Sequence, residues 1–301
     1  MEVNHTESKQ TEHQSGTLLV ILAGICWGMI SIFVRGLTAI GLNSLQIMFI
    51  RAWVSVVLLF LYFLVKNPGL LKISPKDIWM FVGSGILSLT FFSYCYFSSI
   101  LMSGAAISVV LLYTSPIFVM LMSALAFGEK ITRKKLIALV LTFAGCVLVA
   151  GLIGSGSRLT GKALLLGLGA GFGYALYSIF AGFAVRKYSS LTVTFYTLLF
   201  SGLALPFLTD AKAIALTAAD GGSKGWLYML GIALICTVIP YITYTMGLGR
   251  MEAGKAAVLV TVEPLVGALL GIAAYHEAVD GFKISGIAMI FGAVILLAKK
   301  E

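Results

Sequence analysis

Charged side chains are scarce in this sequence. Only 11% of its 301 residues are Asp, Glu, Lys or Arg, and 59% are hydrophobic, whereas soluble proteins carry roughly 25% charged residues. No charged residue occurs between Asp77 and Glu129, a run long enough for two helices of about 20 residues each. The shortage excludes a soluble globular domain and predicts an all-α integral membrane protein.

Residues that build catalytic and metal centres are also few. The chain has three histidines and four cysteines, and their spacing resembles no metal site. It has no P-loop, no nucleophile elbow and no dinucleotide fingerprint. We therefore expect no enzyme activity, no catalytic residue, no cofactor and no metal. Each cysteine stands alone in a different apolar run, which favours a packing role, and they are Cys26, Cys95, Cys146 and Cys236.

Apolar runs between charged or Gly/Ser/Pro-containing breaks predict ten transmembrane helices. A polar segment, 1–16, precedes them, and we expect it to remain as a cytoplasmic tail. The predicted spans are 17–35, 43–65, 77–97, 104–127, 134–153, 161–183, 190–209, 225–246, 254–275 and 282–298.

Basic residues orient these spans. Of the 21 Lys and Arg residues, 14 fall in loops on the side of the N-terminus and 6 on the opposite side. The positive-inside rule then places both termini in the cytoplasm. Because the net charge of +9 lies mainly on alternate short loops, it reflects membrane orientation and predicts no nucleic-acid partner.

A thirteen-residue spacing occurs twice, from Pro116 to Glu129 and from Pro264 to Glu277. A constant offset of 148 relates the two copies, and each Glu precedes by three residues a helix-capping residue, Thr132 or Asp280. The predicted repeats are 17–153 and 161–298. Each holds five spans, an odd number, so the second copy enters the membrane from the opposite side. Inverted repeats of this kind are typical of alternating-access transporters.

Several motifs in both halves are similar to those of a known family. The first half has Trp27-Gly28, Arg51, Tyr94 to Leu101, Ser115-Pro116, Gly128-Glu129 and Gly145, and the second half has Tyr241 to Leu248, Glu263-Pro264 and His276-Glu277. As a set they resemble the EamA-type branch of the drug/metabolite transporter superfamily. The resemblance implies ten transmembrane helices in two inverted five-helix repeats, and secondary transport of small metabolites, often export of amino acids. It also implies a central cavity formed mainly by the first, third and fourth helices of each repeat.

Two charges lie deep within predicted spans. Arg51 is about 12 Å below the outer edge of the membrane and Glu263 about 13 Å from the inner edge. A charge at this depth costs several kcal/mol unless it is paired or hydrated, so we expect a mutual salt bridge or a shared water-filled cavity. Glu263 would bind a substrate ammonium or a coupling proton, and Arg51 a carboxylate. A purely structural pair, or snorkelling from a helix end, is the alternative.

Aromatic residues recur at helical spacing and predict the walls of a cavity. Packing against helices or lipid is the alternative for each of them. Pro116 and Pro264 predict kinks that help gating, or inherited packing kinks. Ser115, the counterpart of Glu263, is a weaker candidate. The predicted substrate-binding aromatics are Trp27, Tyr94, Tyr113, Tyr174, Tyr177, Tyr241 and Tyr244.

These observations predict a multi-pass secondary transporter of the cytoplasmic membrane that exports a small organic metabolite, such as an amino acid or related amine. The alternatives are an importer of a cationic or zwitterionic metabolite and, from a different class, an intramembrane lipid-modifying enzyme. The expected partners are the metabolite and the lipid bilayer. Proton coupling and homo-oligomer formation stay open at this point.

Overall fold

A computed structural model describes residues 2–152, 159–210, 214, 217, 221–276 and 278–298. Within these ranges the chain is helical apart from short loops. Three single 3-10 turns cover Pro68–Leu71, Pro75–Asp77 and Leu205–Phe207. The α-helices are α1 Glu2–Gly28, α2 Ile30–Ala39, α3 Ser44–Lys66, α4 Ile78–Val82, α5 Phe91–Leu112, α6 Ser115–Phe127, α7 Arg133–Val149, α8 Gly161–Ala184, α9 Ser190–Ala204, α10 Gly222–Ala233, α11 Ile239–Leu248, α12 Ala253–Leu259, α13 Val262–Tyr275 and α14 Gly281–Ala298.

Eight helical stretches of the described chain are long and apolar enough to cross a membrane. A further apolar helix, α6, is shorter, with 13 residues. Helix α7 has 17 residues and begins with three basic ones. The eight stretches are Gln14–Ala39, Ser44–Lys66, Pro75–Leu112, Gly161–Ala184, Ser190–Phe207, Gly222–Leu248, Ala253–Tyr275 and Gly281–Ala298.

The ends of the repeated helices match closely. Helix α6 ends at Gly128 with φ 70°, and α13 ends at His276 with φ 52°, so both C-caps are left-handed. This conformation favours glycine, and His276 is the non-glycine residue that adopts it among those described. The next helix begins in each case at the expected cap, because Thr132 accepts from the Lys135 backbone N–H at 3.3 Å and Asp280 from that of Lys283 at 2.7 Å. Glu277 lies outside the described residues.

Helix breaks also recur in both repeats. One π-helical segment, Gly83–Thr90, joins α4 to α5, and another, Leu234–Val238, joins α10 to α11. In each segment a threonine hydroxyl donates to the carbonyl five residues earlier, Thr90 to Gly85 at 3.2 Å and Thr237 to Ile232 at 2.8 Å. Such π segments widen the helix locally, and the hydroxyls satisfy backbone oxygens that the widening leaves free.

The two prolines begin helices and do not kink the interior of a continuous one, contrary to our expectation. The predicted span 104–127 is interrupted after α5, and Pro116 lies in the first turn of α6. The predicted span 254–275 is interrupted between α12 and α13, and Pro264 lies in the first turn of α13. A proline in the first turn costs little, because its missing N–H would have no intrahelical acceptor there.

The two repeats approach each other closely where α7 packs against α14. A Cβ added to Gly145 would lie 2.8 Å from the Gly286 carbonyl oxygen, and one added to Gly286 would lie 2.7 Å from the Gly145 oxygen. Helix α8 approaches the end of α5 in the same manner, since a Cβ on Gly171 would meet the Thr114 hydroxyl at 2.5 Å. The glycines of α8 therefore serve close helix packing, as small residues commonly do in membranes.

Candidate substrate-binding cavity

A cavity of about 510 Å³ opens between α1, α2, α3, α5 and α13. It extends from Glu263 and Tyr174 to Ser44 and Ala105, which lie near the loop 40–43 and the break at Gly104. Gly104 has φ 83°, and this left-handed residue interrupts α5. The cavity therefore runs from the middle of the helix bundle to one of its two faces.

Arg51 lines this cavity and is held by α10–α11 of the second repeat. Its Nε donates to the Thr237 hydroxyl at 3.0 Å, and its Nη2 donates to the Cys236 carbonyl at 3.1 Å. Thr237 belongs to the π segment, which presents both of these oxygens. Because a guanidinium carries five N–H groups, three remain to face the cavity.

Glu263 lies in the first turn of α13 and lines the same cavity. Its Oε2 accepts a long hydrogen bond of 3.4 Å from the Tyr174 hydroxyl. Backbone N–H groups at the start of a helix favour a nearby negative charge. Among the described residues, no Lys, Arg or His lies within ion-pair distance of this carboxylate. Arg51 and Glu263 thus line the same cavity without forming a salt bridge with each other.

Aromatic residues close the cavity on the side away from the 40–43 loop. The Trp27 ring lies 5.2 Å from that of Tyr241 and 5.5 Å from that of Tyr244, centroid to centroid. Tyr177 packs edge-on against Tyr241 at 5.0 Å. Beyond Trp27 and Tyr174 the space shrinks to about 10 Å³. We call these five residues, Trp27, Tyr174, Tyr177, Tyr241 and Tyr244, the aromatic floor.

Hydrogen bonds fix the aromatic floor. The Tyr177 hydroxyl lies 2.7 Å from that of Thr245, and the Tyr244 hydroxyl lies 2.8 Å from that of Ser178. Buried tyrosines need such partners, because an unpaired hydroxyl in an apolar interior is costly. These bonds satisfy the hydroxyls of Tyr177 and Tyr244 within the packed floor.

The structure divides the predicted site residues into three groups. Tyr94 is 49% exposed on the outer surface of α5 and does not line the cavity, and neither do the buried Ser115 and Pro116. Tyr177, Tyr241 and Tyr244 lie in the floor. The predicted residues that line the main cavity are Trp27, Arg51, Tyr113, Tyr174, Glu263 and Pro264.

Several lining residues were missed from the sequence. Arg35 was counted with the loops because the first span was predicted to end at 35, whereas α2 continues to Ala39. Its guanidinium carbon lies 3.7 Å from the centre of the Tyr275 ring. On α5 the lining residues include Phe92, Ser93, Tyr96 and Phe97, whose spacing defines one helical face.

Contacts between the repeats close the face beyond the floor. The Glu129 carboxylate accepts from the backbone N–H groups of Ala253 at 2.6 Å and Gly254 at 3.0 Å. Nearby, the Lys135 ammonium lies 2.5 Å from the Glu252 carboxylate. Glu129, which follows the C-cap residue of α6, thus caps the first N–H groups of α12 in the other repeat.

Metal binding finds no support in the part of the chain that the structure describes. Those residues include no group of three or more His, Cys, Asp or Glu side chains that could hold an ion. The four cysteines are buried and separate from one another. The polar chemistry of the cavity therefore rests on Arg35, Arg51, Glu263 and the hydroxyls around them.

The two halves each match one family model. The EamA-like transporter family matches residues 14–151 and again 161–299. The chain belongs to the EamA-like transporter family. It is therefore a multi-pass membrane transporter, and its internal repeat consists of two EamA domains.

Relatives of this EamA protein cover nearly the whole chain. An uncharacterized transporter of Archaeoglobus fulgidus is 28% identical, over 93% of this chain and 95% of the relative. The pseudopaline exporter CntI of Pseudomonas aeruginosa is 26% identical, over 96% and 97%. A solved crystal structure matches with a TM-score of 0.75 at 17% identity, over 94% of this chain and 96% of that one, which shows a shared fold.

Proposed function

We propose that this protein is a secondary transporter that exports a small zwitterionic metabolite, an amino acid or related amine, across the cytoplasmic membrane. The observation that carries the proposal is the placement of Arg51 and Glu263 on one cavity without an ion pair between them. A substrate with one ammonium and one carboxylate would compensate both charges. Their cost at membrane depth makes such compensation favourable.

Ten transmembrane helices suit this function. The second half of α5, after Gly104, together with α6 would form a fourth span, and α7 would form a fifth. The matching ends of α6 and α13, at Gly128 and His276, support a second repeat built in the same way. Five spans per repeat give an inverted pair, and the loop charges favour cytoplasmic termini.

Alternating access is the transport mechanism that we propose. The cavity reaches the face of the 40–43 loop, and the aromatic floor closes the other side. Inverted repeats can exchange conformations, which would open the site to the opposite face. The chain carries no nucleotide-binding motif, so the free energy would come from the substrate gradient or from a coupled ion.

Glu263 would bind the substrate ammonium, or a proton in its absence. The Glu263 carboxylate is half-buried and, among the described residues, accepts one long hydrogen bond, from Tyr174. A buried carboxylate without a cationic partner is costly. Exchange of a proton for an ammonium would keep the charge of the Glu263 carboxylate compensated through the cycle. The exporter relative, CntI, favours the outward direction.

The test is substrate flux in proteoliposomes that contain the wild-type protein, Glu263→Gln or Asp280→Asn, with a panel of amino acids and amines. Asp280→Asn is the matched control, because it makes the same change at an exposed helix cap where an amide oxygen can still accept. We expect Glu263→Gln to lower transport at least tenfold and the control to keep it. Unchanged transport by Glu263→Gln would refute the ammonium and proton roles.

Flux measurements in the same vesicles determine the direction of transport and its coupling to protons. Substrate is loaded on one side at a time, with and without a pH gradient. Faster movement from the cytoplasmic side supports export, and faster movement in reverse supports an importer. Movement of a lipid with no movement of any amino acid or amine would contradict the proposal as a whole.

A further inference from the structure

We infer that the substrate amine is a primary ammonium, and that the hydroxyl oxygens of Tyr96 and Tyr113 accept hydrogen bonds from it beside Glu263. This inference rests on the proposed function and narrows the substrate class, because it excludes betaines and other fully methylated amines. Both tyrosines line the main cavity together with Glu263.

The hydroxyls of Tyr96 and Tyr113 have no hydrogen-bond partner among the described residues. Neither is one of the fully enclosed polar atoms without a partner, which are the hydroxyls of Ser103, Thr142 and Thr194. The two tyrosine hydroxyls therefore meet open space, and the main cavity is the space that both side chains line. Because a buried hydroxyl without a partner is costly, a ligand that displaces water from this cavity must bond to them.

Tyr113 is fixed beside Glu263 by packing. It is the C-cap residue of α5 and is 7% exposed. Its ring belongs to a buried cluster with Val262 and Leu265, which lie one residue before and two residues after Glu263 on α13. The Tyr113 hydroxyl also interacts electrostatically with the Glu263 carboxylate. Tyr113 therefore presents its hydroxyl close to the group that would bind the ammonium.

Tyr96 approaches the same carboxylate along a row of rings. Its ring stacks on Phe92 at 5.6 Å, and Phe92 packs edge-on against Tyr174 at 5.5 Å, centroid to centroid. The Tyr174 hydroxyl donates to Glu263, and the Tyr96 hydroxyl interacts electrostatically with it. Tyr96, Tyr113 and Tyr174 therefore lie around one carboxylate.

A primary ammonium suits this arrangement because it has three N–H donors and no acceptor. Glu263 would accept one N–H and supply the compensating charge, while the Tyr96 and Tyr113 oxygens would accept the other two. A trimethylated ammonium has no N–H donor, so it would displace water and leave both hydroxyls unpaired. Sites built to hydrogen-bond a substrate group reject analogues that lack it for this reason. The substrate carboxylate needs N–H donors, which Arg51 supplies.

The experiment compares the full-length wild-type protein with Tyr96→Phe, Tyr113→Phe and Tyr62→Phe in proteoliposomes. The probes are glycine, N-methylglycine and N,N,N-trimethylglycine, and the same three forms of whichever panel member moves fastest. Tyr62→Phe is the matched control, because it removes a hydroxyl from a side chain that is 47% exposed and does not line the cavity. Thermal melting of each purified variant checks folding.

We expect the wild-type protein to prefer the primary amine over its trimethylated form by at least a hundredfold in kcat/KM, with the N-methyl form between them. Tyr96→Phe and Tyr113→Phe should each raise the KM for the primary amine about tenfold, because one acceptor for a charged donor is lost. The apparent affinity for the trimethylated form, measured by competition, should stay within twofold. Tyr62→Phe should keep the wild-type preference, and the melting temperatures of all three variants should change little.

Equal use of the primary and trimethylated amines by the wild-type protein would overturn this inference and leave the proposed function standing. An unchanged KM in both cavity variants, or an equal effect on both amines, would do the same. Preference for the trimethylated form would show that the aromatic rings bind the cation through cation–π contact, which also contradicts the inference. Failure of every panel member to move, with Glu263→Gln indistinguishable from the wild-type protein, would count against the proposed function itself.

Discussion

Arg51 shows how a single charge is positioned in an apolar bundle. Two protein oxygens, from Thr237 and Cys236, fix the guanidinium without neutralising it. Hydrogen bonds to a charged group stabilise by about 1.5–3 kcal/mol, so the π segment that presents these oxygens sets the orientation of the arginine. The binding geometry of one repeat thus depends on a local helix widening in the other.

Loss of the Thr237 hydroxyl should weaken carboxylate binding. Thr237→Val removes the acceptor for Arg51 Nε, and we expect the KM of a carboxylate-bearing substrate to rise about tenfold, equivalent to about 1.4 kcal/mol. Thr90→Val is the matched control, because Thr90 makes the same bond to the carbonyl five residues earlier and lies in the other repeat. Flux kinetics and thermal melting of both variants check this.

The two variants should differ in kinetics and agree in stability. Each loses a buried hydroxyl that donates within its own π segment, so both should melt a few degrees lower. An equal rise in KM for both variants would show that the effect comes from general loosening of the helices and not from Arg51.

At the scale of elements, the interrupted helix α12–α13 connects the closed face to the site. Its first N–H groups are capped by Glu129 from the other repeat, and Glu263 lies in the first turn after its interruption. The approach is close, because a Cβ on Gly254 would lie 3.3 Å from the Glu129 carboxylate. Opening of this face would have to break the cap, so the cap favours the closed arrangement.

Glu129→Gln should loosen the closed face. An amide has one acceptor oxygen and no charge, so two charge-assisted hydrogen bonds, each about 1.5–3 kcal/mol, are weakened. With Ser123→Cys as a reporter, which is fully buried beside Gly254, we expect thiol labelling from that face to accelerate about tenfold. Labelling rates in membrane vesicles measure the change.

Glu252→Gln is the comparison for that variant. It removes the ion pair with Lys135, but the Glu252 side chain is 49% exposed, and exposed pairs stabilise by about 1 kcal/mol or less. Labelling should therefore accelerate about fivefold at most. If Glu252→Gln accelerates the labelling more than Glu129→Gln does, the ion pair and not the helix cap holds this face closed.

At the scale of the whole molecule, the two faces differ, because the cavity opens to one of them. A cavity of about 510 Å³ reaches one face, and an aromatic floor and the Glu129 contacts lie between it and the other. This asymmetry is notable, because the two halves are repeats of one another. A transporter built from inverted repeats reaches its other state when the halves exchange their conformations.

Thiol labelling should report this asymmetry. Ser31→Cys lies in the cavity lining, and we expect a membrane-impermeant reagent to label it from the outer side of right-side-out vesicles. Ser123→Cys should be labelled at least tenfold more slowly from either side. The wild-type protein is the blank, because its four cysteines are buried. Labelling of Ser31→Cys from the cytoplasmic side alone would reverse the proposed orientation.

Much of the architecture follows from the sequence, because membranes impose simple requirements. Long uncharged runs predict helices, and most of their ends agree with the structure within a few residues. The Pro-to-Glu spacing predicts the repeat, and the EamA-like family model matches the chain twice. Arg51 and Glu263 stand out because charges within apolar spans are costly.

The sequence did not predict which face of each helix lines the cavity. A membrane helix is apolar toward lipid and toward protein alike, so periodicity does not tell the two sides apart. Tyr94 was therefore predicted to bind substrate and Tyr96 was not, although of the two Tyr96 lines the cavity. Ser115 shares its repeat position with Glu263 and yet lies away from the cavity.

Composition and spacing alone thus determined the helical class, the repeat and the two deep charges, since each depends on the cost of polar groups in lipid. The tertiary structure decided which side chains contact one another and which line the cavity. It placed Arg35 on the cavity, Arg51 on the π segment and Glu129 on α12, because such contacts depend on how helices far apart in the chain rotate and pack against one another.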